Sequence, residues 1–271
     1  MRRPCIRFPT DDTRQRMPDI AANGLDIHYE MEGDGPPLVL LHGATSMGTR
    51  DWGAQRPLLR QHFRIFMPDA RGHGRTRWDV RAGWLHSDLV ADVLAFADAL
   101  GVEQFRLMGL SMGASTALAL AVSHPRRVHS LVLASISNER EPARSVARHR
   151  LDPEAIVRDD PAWAAELQRR HDPAQGPGAW RRLVAALRDG LAHRELLSPE
   201  QLRLVRLPVL LAVGDSDPWV PLEHAVWLKR QLPDARLLVV PGCGHVVPAE
   251  RPSVFNPAAS QFLRSADGRR G

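Results

Sequence analysis

Residues 106–114 read Arg106-Leu107-Met108-Gly109-Leu110-Ser111-Met112-Gly113-Ala114. An apolar run, Phe105 to Met108, feeds directly into Gly-x-Ser-x-Gly, and the helix-forming run Ala114 to Val122 follows with no gap. A strand that turns sharply into a helix holds its middle residue in a strained backbone conformation. Glycines two before and two after it let neighbouring backbone come close. The Ser111 hydroxyl is then held out from the sheet edge with the next backbone N–H beside it, which is how a serine is presented as a nucleophile. The competing reading is a helix that merely begins near Gly and Ser, since serine is a common N-cap. The flanking chain decides between the two.

Upstream, Ile20-Ala21-Ala22, Asn23-Gly24 and Leu25 to Met31 predict a hairpin with Asn-Gly at its turn. Leu38 to Leu41 is a continuous apolar run, as a strand buried on both faces requires, and it ends in His42-Gly43. A short helical segment is expected over Asp51 to His62. The next strand, Phe63 to Met67, ends in Pro68-Asp69. Ser87 to Leu100 carries Leu89, Val93, Phe96, Ala97 and Leu100 at helical spacing, with Gly101 as a stop. After the serine turn and its helix, Val128 to Ala134 is another buried strand.

The rhythm changes after residue 135. Ser137 to Arg206 has no strand-like run and is rich in Arg and Ala. Strands resume at Leu207 to Val213 and Arg236 to Val240, with helices expected over Leu222 to Leu232 and Pro252 to Leu263. Repeated strand–helix alternation predicts an α/β fold: a mostly parallel sheet, here expected to be eight-stranded, with helices on both faces. Ligands then sit at the carboxyl ends of the strands. Residues 19–136 and 207–265 form the expected core, with 137–206 inserted as a helical lid over that edge. Residues 1–18 and 266–271 read as disordered tails, and Met17 is an alternative start.

The bulk numbers fit one α/β unit. The chain has 271 residues, of which 44% are hydrophobic and 25% charged. Its net charge of +5 comes from basic residues scattered through every segment, without a dense run or aromatic interleaving, which argues against nucleic acid as a partner. Lys229 is the one lysine among the 36 basic residues, so any Schiff-base chemistry would depend on it, on a predicted amphipathic helix. Cys5 and Cys243 are too few and too far apart for a disulfide framework or a zinc site. No metal or other cofactor is expected. Neither a secretory signal nor a membrane-length apolar run is present, so a cytoplasmic protein without membrane contact is the default expectation, its oligomeric state open.

Five loops at the expected strand ends carry chemistry: His42-Gly43-Ala44, Asp69-Ala70-Arg71-Gly72-His73-Gly74-Arg75-Thr76, the Ser111 turn, Gly214-Asp215-Ser216-Asp217 and Gly242-Cys243-Gly244-His245. A serine, an aspartate and a histidine thus fall on one rim in the chain order Ser, Asp, His. In these five motifs, from Asp19 to Ser265, the chain resembles the α/β-hydrolases. The resemblance implies Ser111 as nucleophile and His245 as general base. It makes Asp217, rather than Asp215, the orienting acid. The backbone N–H groups of Ala44 and Met112 would form the oxyanion hole. His42 is expected to brace the oxyanion loop, while Asp69, Arg71 and His73 tie loops together around the turn. Cys243 is expected to be a small packed residue. Trp163 and Trp180 are candidates for lining the substrate pocket, or for pinning lid helices to the body. Ala114 stands where a second glycine often follows the turn, and Thr76 where serine is common.

Serine at the nucleophile position argues against the dehalogenases and epoxide hydrolases of this fold. Val246-Val247 after His245 lack the tryptophan typical of hydrolases of ring-fission products. What the resemblance then implies is a small carboxylesterase or enol-lactonase acting on a small-molecule ester or lactone through an acyl-enzyme. Lactone opening, C–C hydrolysis or acyl transfer on the same triad are the alternatives. A non-catalytic binding protein of the same fold is the reading from another class, and the intact Ser111, Asp217 and His245 argue against it. Lid arginines, including Arg140, Arg144, Arg148, Arg169, Arg170, Arg181 and Arg182, are expected mainly on a solvated helix face.

Overall fold

The structure is a computed structural model that describes residues 19–139 and 150–266. The expected N-terminal tail, Arg140, Arg144, Arg148 and the chain beyond residue 266 lie outside the described residues.

Nine strands form two sheets. The first is a hairpin of β1 (Ile20–Ala22) and β2 (Leu25–Ile27), paired antiparallel. Asn23 and Gly24 make its turn at φ 49° and 75°, the two positive values that a two-residue hairpin twisted like its strands needs. The second sheet has seven strands in the order β3-β5-β4-β6-β7-β8-β9. They are β3 (Tyr29–Glu32), β4 (Pro37–Leu41), β5 (Arg64–Pro68), β6 (Phe105–Leu110), β7 (Val128–Ala134), β8 (Val209–Gly214) and β9 (Ala235–Val240). Only β3 runs antiparallel to its neighbour.

The central sheet therefore has seven strands, not the expected eight. The hairpin's apolar residues find their burial elsewhere: Ala22 and Ile27 pack with Val93, Phe96 and Ala97 of helix α3 (His86–Ala99) instead of extending the sheet edge. The predicted single strand Leu25 to Met31 is accordingly split at His28 into β2 and β3.

β4, β6, β7 and β8 are the centre of the molecule, and nearly every residue in them is buried. A strand covered on both faces reads as an unbroken apolar run, which is why these four are plain in the sequence. One face is covered by α3 and α4 (Met112–Ser123), together with Leu202, Val205 and Leu228. The other holds Trp52, Leu59 and Phe63 beside Phe255, Phe262 and Leu263 of the last helix, α11 (Pro252–Ser265). Two short helices, α1 (Gly48–Asp51) and α2 (Arg56–Leu59), replace the single expected segment after β4.

Between β7 and β8 the chain forms α5 (Pro153–Asp159), α6 (Pro161–Gln175), α7 (Ala179–Ala192) and α8 (Pro199–Arg203). Asp152, Asp160 and Ser198 cap the starts of α5, α6 and α8 through their side chains, each with proline in the first turn. Pro153, Pro161 and Pro199 thus begin helices. The amphipathic α7 buries Trp180, Leu183, Val184 and Leu187 against Leu167, Trp84 and Leu89. α9 (Leu222–Gln231) and α10 (Val247–Glu250) complete the series.

Backbone packs closely against backbone at the β6–α4 turn. A Cβ on Gly109 would sit 2.4 Å from the Gly113 carbonyl carbon, and one on Gly113 would sit 2.2 Å from the Leu41 carbonyl oxygen. Neither contact can relax by moving a side chain, because the obstacle is backbone. Gly113→Ala is therefore expected to cost at least about 1–3 kcal/mol of folding free energy, as overpacking does. Urea denaturation followed by circular dichroism checks this, and a midpoint equal to wild type would refute it.

Candidate active site

Ser111 sits between β6 and α4 at φ 53° and ψ −111°, a conformation that non-glycine residues rarely hold. Its amide donates to Ala134 O of β7 (2.9 Å), and its carbonyl accepts from Ser115 N (2.9 Å), so both sides of the turn are tied down. Its side chain makes no capping bond to the helix, although the residue occupies the N-cap position. The simple N-cap reading of Ser111 thus does not describe the structure. The hydroxyl faces a cavity of about 840 Å³ that runs between the sheet edge and the helices of 153–203. Met112 is the first residue of α4, so its N–H has no acceptor within the helix.

His245 and Asp217 reach the site from two later strand ends. Asp217 follows β8 and His245 follows β9. The His245 Nδ1 lies 2.9 Å from Asp217 Oδ2 and 3.1 Å from Oδ1. The Asp217 carboxylate also accepts from the amides of Trp219 (2.9 Å) and Val220 (3.1 Å), and it is fully shielded from solvent. Burial alone would push its pKa up. The His245 ring and the two amides outweigh that and hold the carboxyl below its ordinary value. Asp215 lies elsewhere: its Oδ1 accepts from Gly242 N (2.8 Å) and pins the β9 loop. Trp219, not singled out in the sequence, packs edge-on against the His245 ring at 4.5 Å between centroids. Arg150 lies 5.3 Å over the same indole.

The loop after β4 carries Ala44 along the cavity wall, and its shape is set by a web of buried polar groups. Asp51 Oδ2 accepts from the Gly43 amide (2.8 Å). His42 Nε2 accepts from Ala70 N (2.9 Å), which leaves its Nδ1 as the proton donor to Gly43 O (2.8 Å). His73 Nε2 lies 2.7 Å from Ala44 O, and Arg170 of α6 donates to Thr45 O (2.9 Å). Behind them Asp69 accepts from Gly48 N (2.8 Å) and Arg75 N (3.0 Å), and Arg71 forms a two-point pair with Asp92. Thr76 bonds the Asp69 carbonyl through its hydroxyl (2.7 Å), so threonine serves where serine is common.

Of the two candidate pocket tryptophans, Trp163 lines the cavity and Trp180 does not. Trp180 is buried among Leu183, Leu187 and Leu167, with the Arg181 guanidinium over its outer face. At the first turn of α7 it packs against the neighbouring helix, so it pins α7 and does not line the Ser111 cavity. Cys243 is fully buried beside Glu250, and burial, then that carboxylate, push its thiol up to about 11. It is a packed residue, with no thiolate at neutral pH. Among the described residues no group of three or more His, Cys, Asp or Glu could hold a metal ion, and no helix is long and apolar enough to cross a membrane.

The sequence model of the alpha/beta hydrolase family matches residues 38–258. The chain belongs to that family. It is an enzyme of the hydrolase class. It is 27% identical over 280 residues to a pimeloyl-[acyl-carrier protein] methyl ester esterase of Nitrosospira multiformis, covering 89% of this chain and 99% of that one. It is 28% identical over 270 residues to the 2-hydroxy-6-oxo-2,4-heptadienoate hydrolase of Pseudomonas putida, covering 92% and 96%. A thermophilic esterase of Thermogutta terrifontis, solved with malate bound, superposes with a TM-score of 0.73 at 25% identity, covering 92% and 97%.

Besides Trp219, a charged residue of the cavity wall goes unmarked in the sequence. Arg194, just past α7, donates through Nη2 to Ser137 O (2.6 Å) and lies 3.4 Å from Ser115 Oγ. Among the described residues no carboxylate pairs with it, whereas Arg50 and Arg170, also in the wall, share Glu166. Burial brings its pKa down to about 10, still charged at neutral pH. Nothing in its local sequence sets it apart from the other arginines of the insertion.

Buried histidines around the site set a pH limit on the fold. Burial, then the neighbouring His42, lower His73 to about 4; burial, then Arg194, lower His86 to about 4. Both stay neutral in the folded chain at pH values where the unfolded chain is already charged. Their contribution is complete above the ordinary histidine value of 6.5 and is lost as pH falls from there toward 4. The expected slope is about 1.4 kcal/mol per histidine per pH unit. The Tm measured from pH 7 to pH 4 checks this, and His86→Gln should flatten the decline.

Proposed function

We propose that this enzyme hydrolyses a carboxylic ester, or a closely related acyl bond such as a lactone, in a small molecule that also carries a carboxylate. The observation that carries the reading is the convergence on one cavity of a serine at φ 53° and a histidine whose Nδ1 is held by a buried carboxylate. With Nδ1 committed to Asp217, the His245 Nε2 is the nitrogen free to take the Ser111 proton as Oγ attacks the acyl carbon. The same nitrogen returns the proton to the leaving oxygen, forming an acyl-enzyme. Water, deprotonated in turn by His245, attacks that acyl carbon, and the proton returns to Ser111 as the acid leaves. Asp217 keeps the ring in the tautomer this needs and stabilises the imidazolium. The N–H groups of Met112 and Ala44 receive the charge that develops on the acyl oxygen, each worth a few kcal/mol in the transition state.

The helices of 153–203 act as the lid in this reading, with Trp163, Leu151 and Leu191 giving the cavity an apolar wall. Arg194 supports the choice of substrate class. A guanidinium without a carboxylate partner among the described residues, beside the Ser115 hydroxyl in the first turn of α4, offers a two-point site for a substrate carboxylate. The ester and ring-fission-product hydrolases among the relatives bracket the chemistry expected here.

Two measurements test the proposal. Wild type should turn over p-nitrophenyl butyrate and be labelled covalently by a fluorophosphonate. Ser111→Ala and His245→Ala should each lose at least about 10³-fold in kcat. Turnover by Ser111→Ala near the wild-type rate would sink the mechanism. For the substrate class, Arg194→Met should raise KM for a succinate half-ester by roughly tenfold or more, from loss of a charge-assisted hydrogen bond, while KM for a neutral ester of equal size stays unchanged. Equal effects on both esters would remove Arg194 from recognition.

A further inference from the structure

The His245 loop is held by two residues that the mechanism has not used. β7 ends at Ala134, and the next residue, Ser135, is buried at φ 50°. Like Ser111, it is a non-glycine residue in the left-handed region at a strand's carboxyl end. The twist aims its hydroxyl across the sheet edge, where it donates to the His245 carbonyl at 2.6 Å. Its own amide is fixed by Ala212 O of β8 (2.8 Å), so the hydroxyl rests on two adjacent buried strands, β7 and β8. On the other side, the Glu250 carboxylate at the end of α10 accepts from Gly244 N through Oε2 (2.7 Å) and from Val246 N through Oε1 (2.9 Å). The amides of the residues before and after His245 are thus both fastened, and the His245 carbonyl is fastened from the strand side.

We infer that Ser135 and Glu250 are positioning residues for the general base: together they fix the His245 backbone so that its ring meets Asp217 on one side and Ser111 on the other. The inference rests on the reading of His245 as base. The left-handed backbone at Ser135 is unfavourable for any residue but glycine, and what it achieves here is the direction of one hydroxyl. The loop itself is rich in glycine, with Gly242 at φ 59° and Gly244 two residues on, so little within it would hold the histidine still. Ring placement then depends on contacts from outside the loop. A base displaced by a fraction of an ångström lowers proton transfer without changing how the substrate binds.

The test uses full-length Ser135→Gly, Ser135→Ala and Glu250→Gln, with kcat normalised to the folded fraction from circular dichroism. Both serine variants lack the hydroxyl, but glycine relaxes the φ 50° backbone. Ser135→Gly should therefore have the higher Tm of the two, while kcat falls about tenfold in both and KM for p-nitrophenyl butyrate stays unchanged. The rate of fluorophosphonate labelling of Ser111 should fall in parallel. Glu250→Gln, which keeps shape but loses one acceptor, should show a smaller loss with the same kcat-only signature. If Ser135→Gly and Glu250→Gln keep wild-type kcat while His245→Ala is inactive, the positioning role is overturned and the base assignment stands. If His245→Ala is itself active, the mechanism fails first.

Discussion

The β6–α4 turn is where three backbone segments come closer than any side chain allows. Gly109 lies against Gly113, and Gly113 lies against the carbonyls of Leu41 and His42. That contact does two things at once. It seats α4 directly over β6, so the helix begins with no linking loop. It also brings the loop after β4 beside the first N–H of α4, which makes two strand ends into one site. Ser111 takes its strained conformation from this arrangement, held by Ala134 O from one side and Ser115 N from the other. The cost of that strain is spread over a sheet whose central strands are almost wholly buried.

The polar groups beneath the site are all committed to holding loops. His42, Asp51, Asp69, Arg71 and Thr76 make their bonds to backbone or to other side chains of the protein. Buried polar groups of this kind are stable only when satisfied, so the web has little freedom to rearrange. Arg194 differs from them in lacking a charged partner among the described residues. The contrast is between charges bonded within the scaffold and one that lines the cavity.

Much of the fold was legible because its signals are local. Central strands show as unbroken apolar runs, α3 by its spacing, and the hairpin by Asn23-Gly24. The strand count is not legible in the sequence, because nothing in Ile20 to Met31 says whether its apolar face joins the sheet or lies on α3. That choice depends on Phe96 and Val93, some seventy residues away. By its residue type alone, Trp180 is a candidate pocket residue. Its position on the buried face of α7, against Leu167 of α6, follows from helix packing.

By itself, the sequence determined the strand–helix alternation and the order of the reactive residues. It also determined the glycine spacing that the Ser111 turn requires. These follow from backbone sterics and the hydrophobic period, which act over a few residues. Only the tertiary structure decided that the Asp217 carboxylate lies against the His245 ring, that Arg194 lines the cavity with no carboxylate partner among the described residues, and that Ser135 and Glu250 grip the His245 loop. Each of these is a meeting of residues far apart in the chain, whose short sequences resemble many others. Their roles come from where the sheet edge and the helices of 153–203 bring them together.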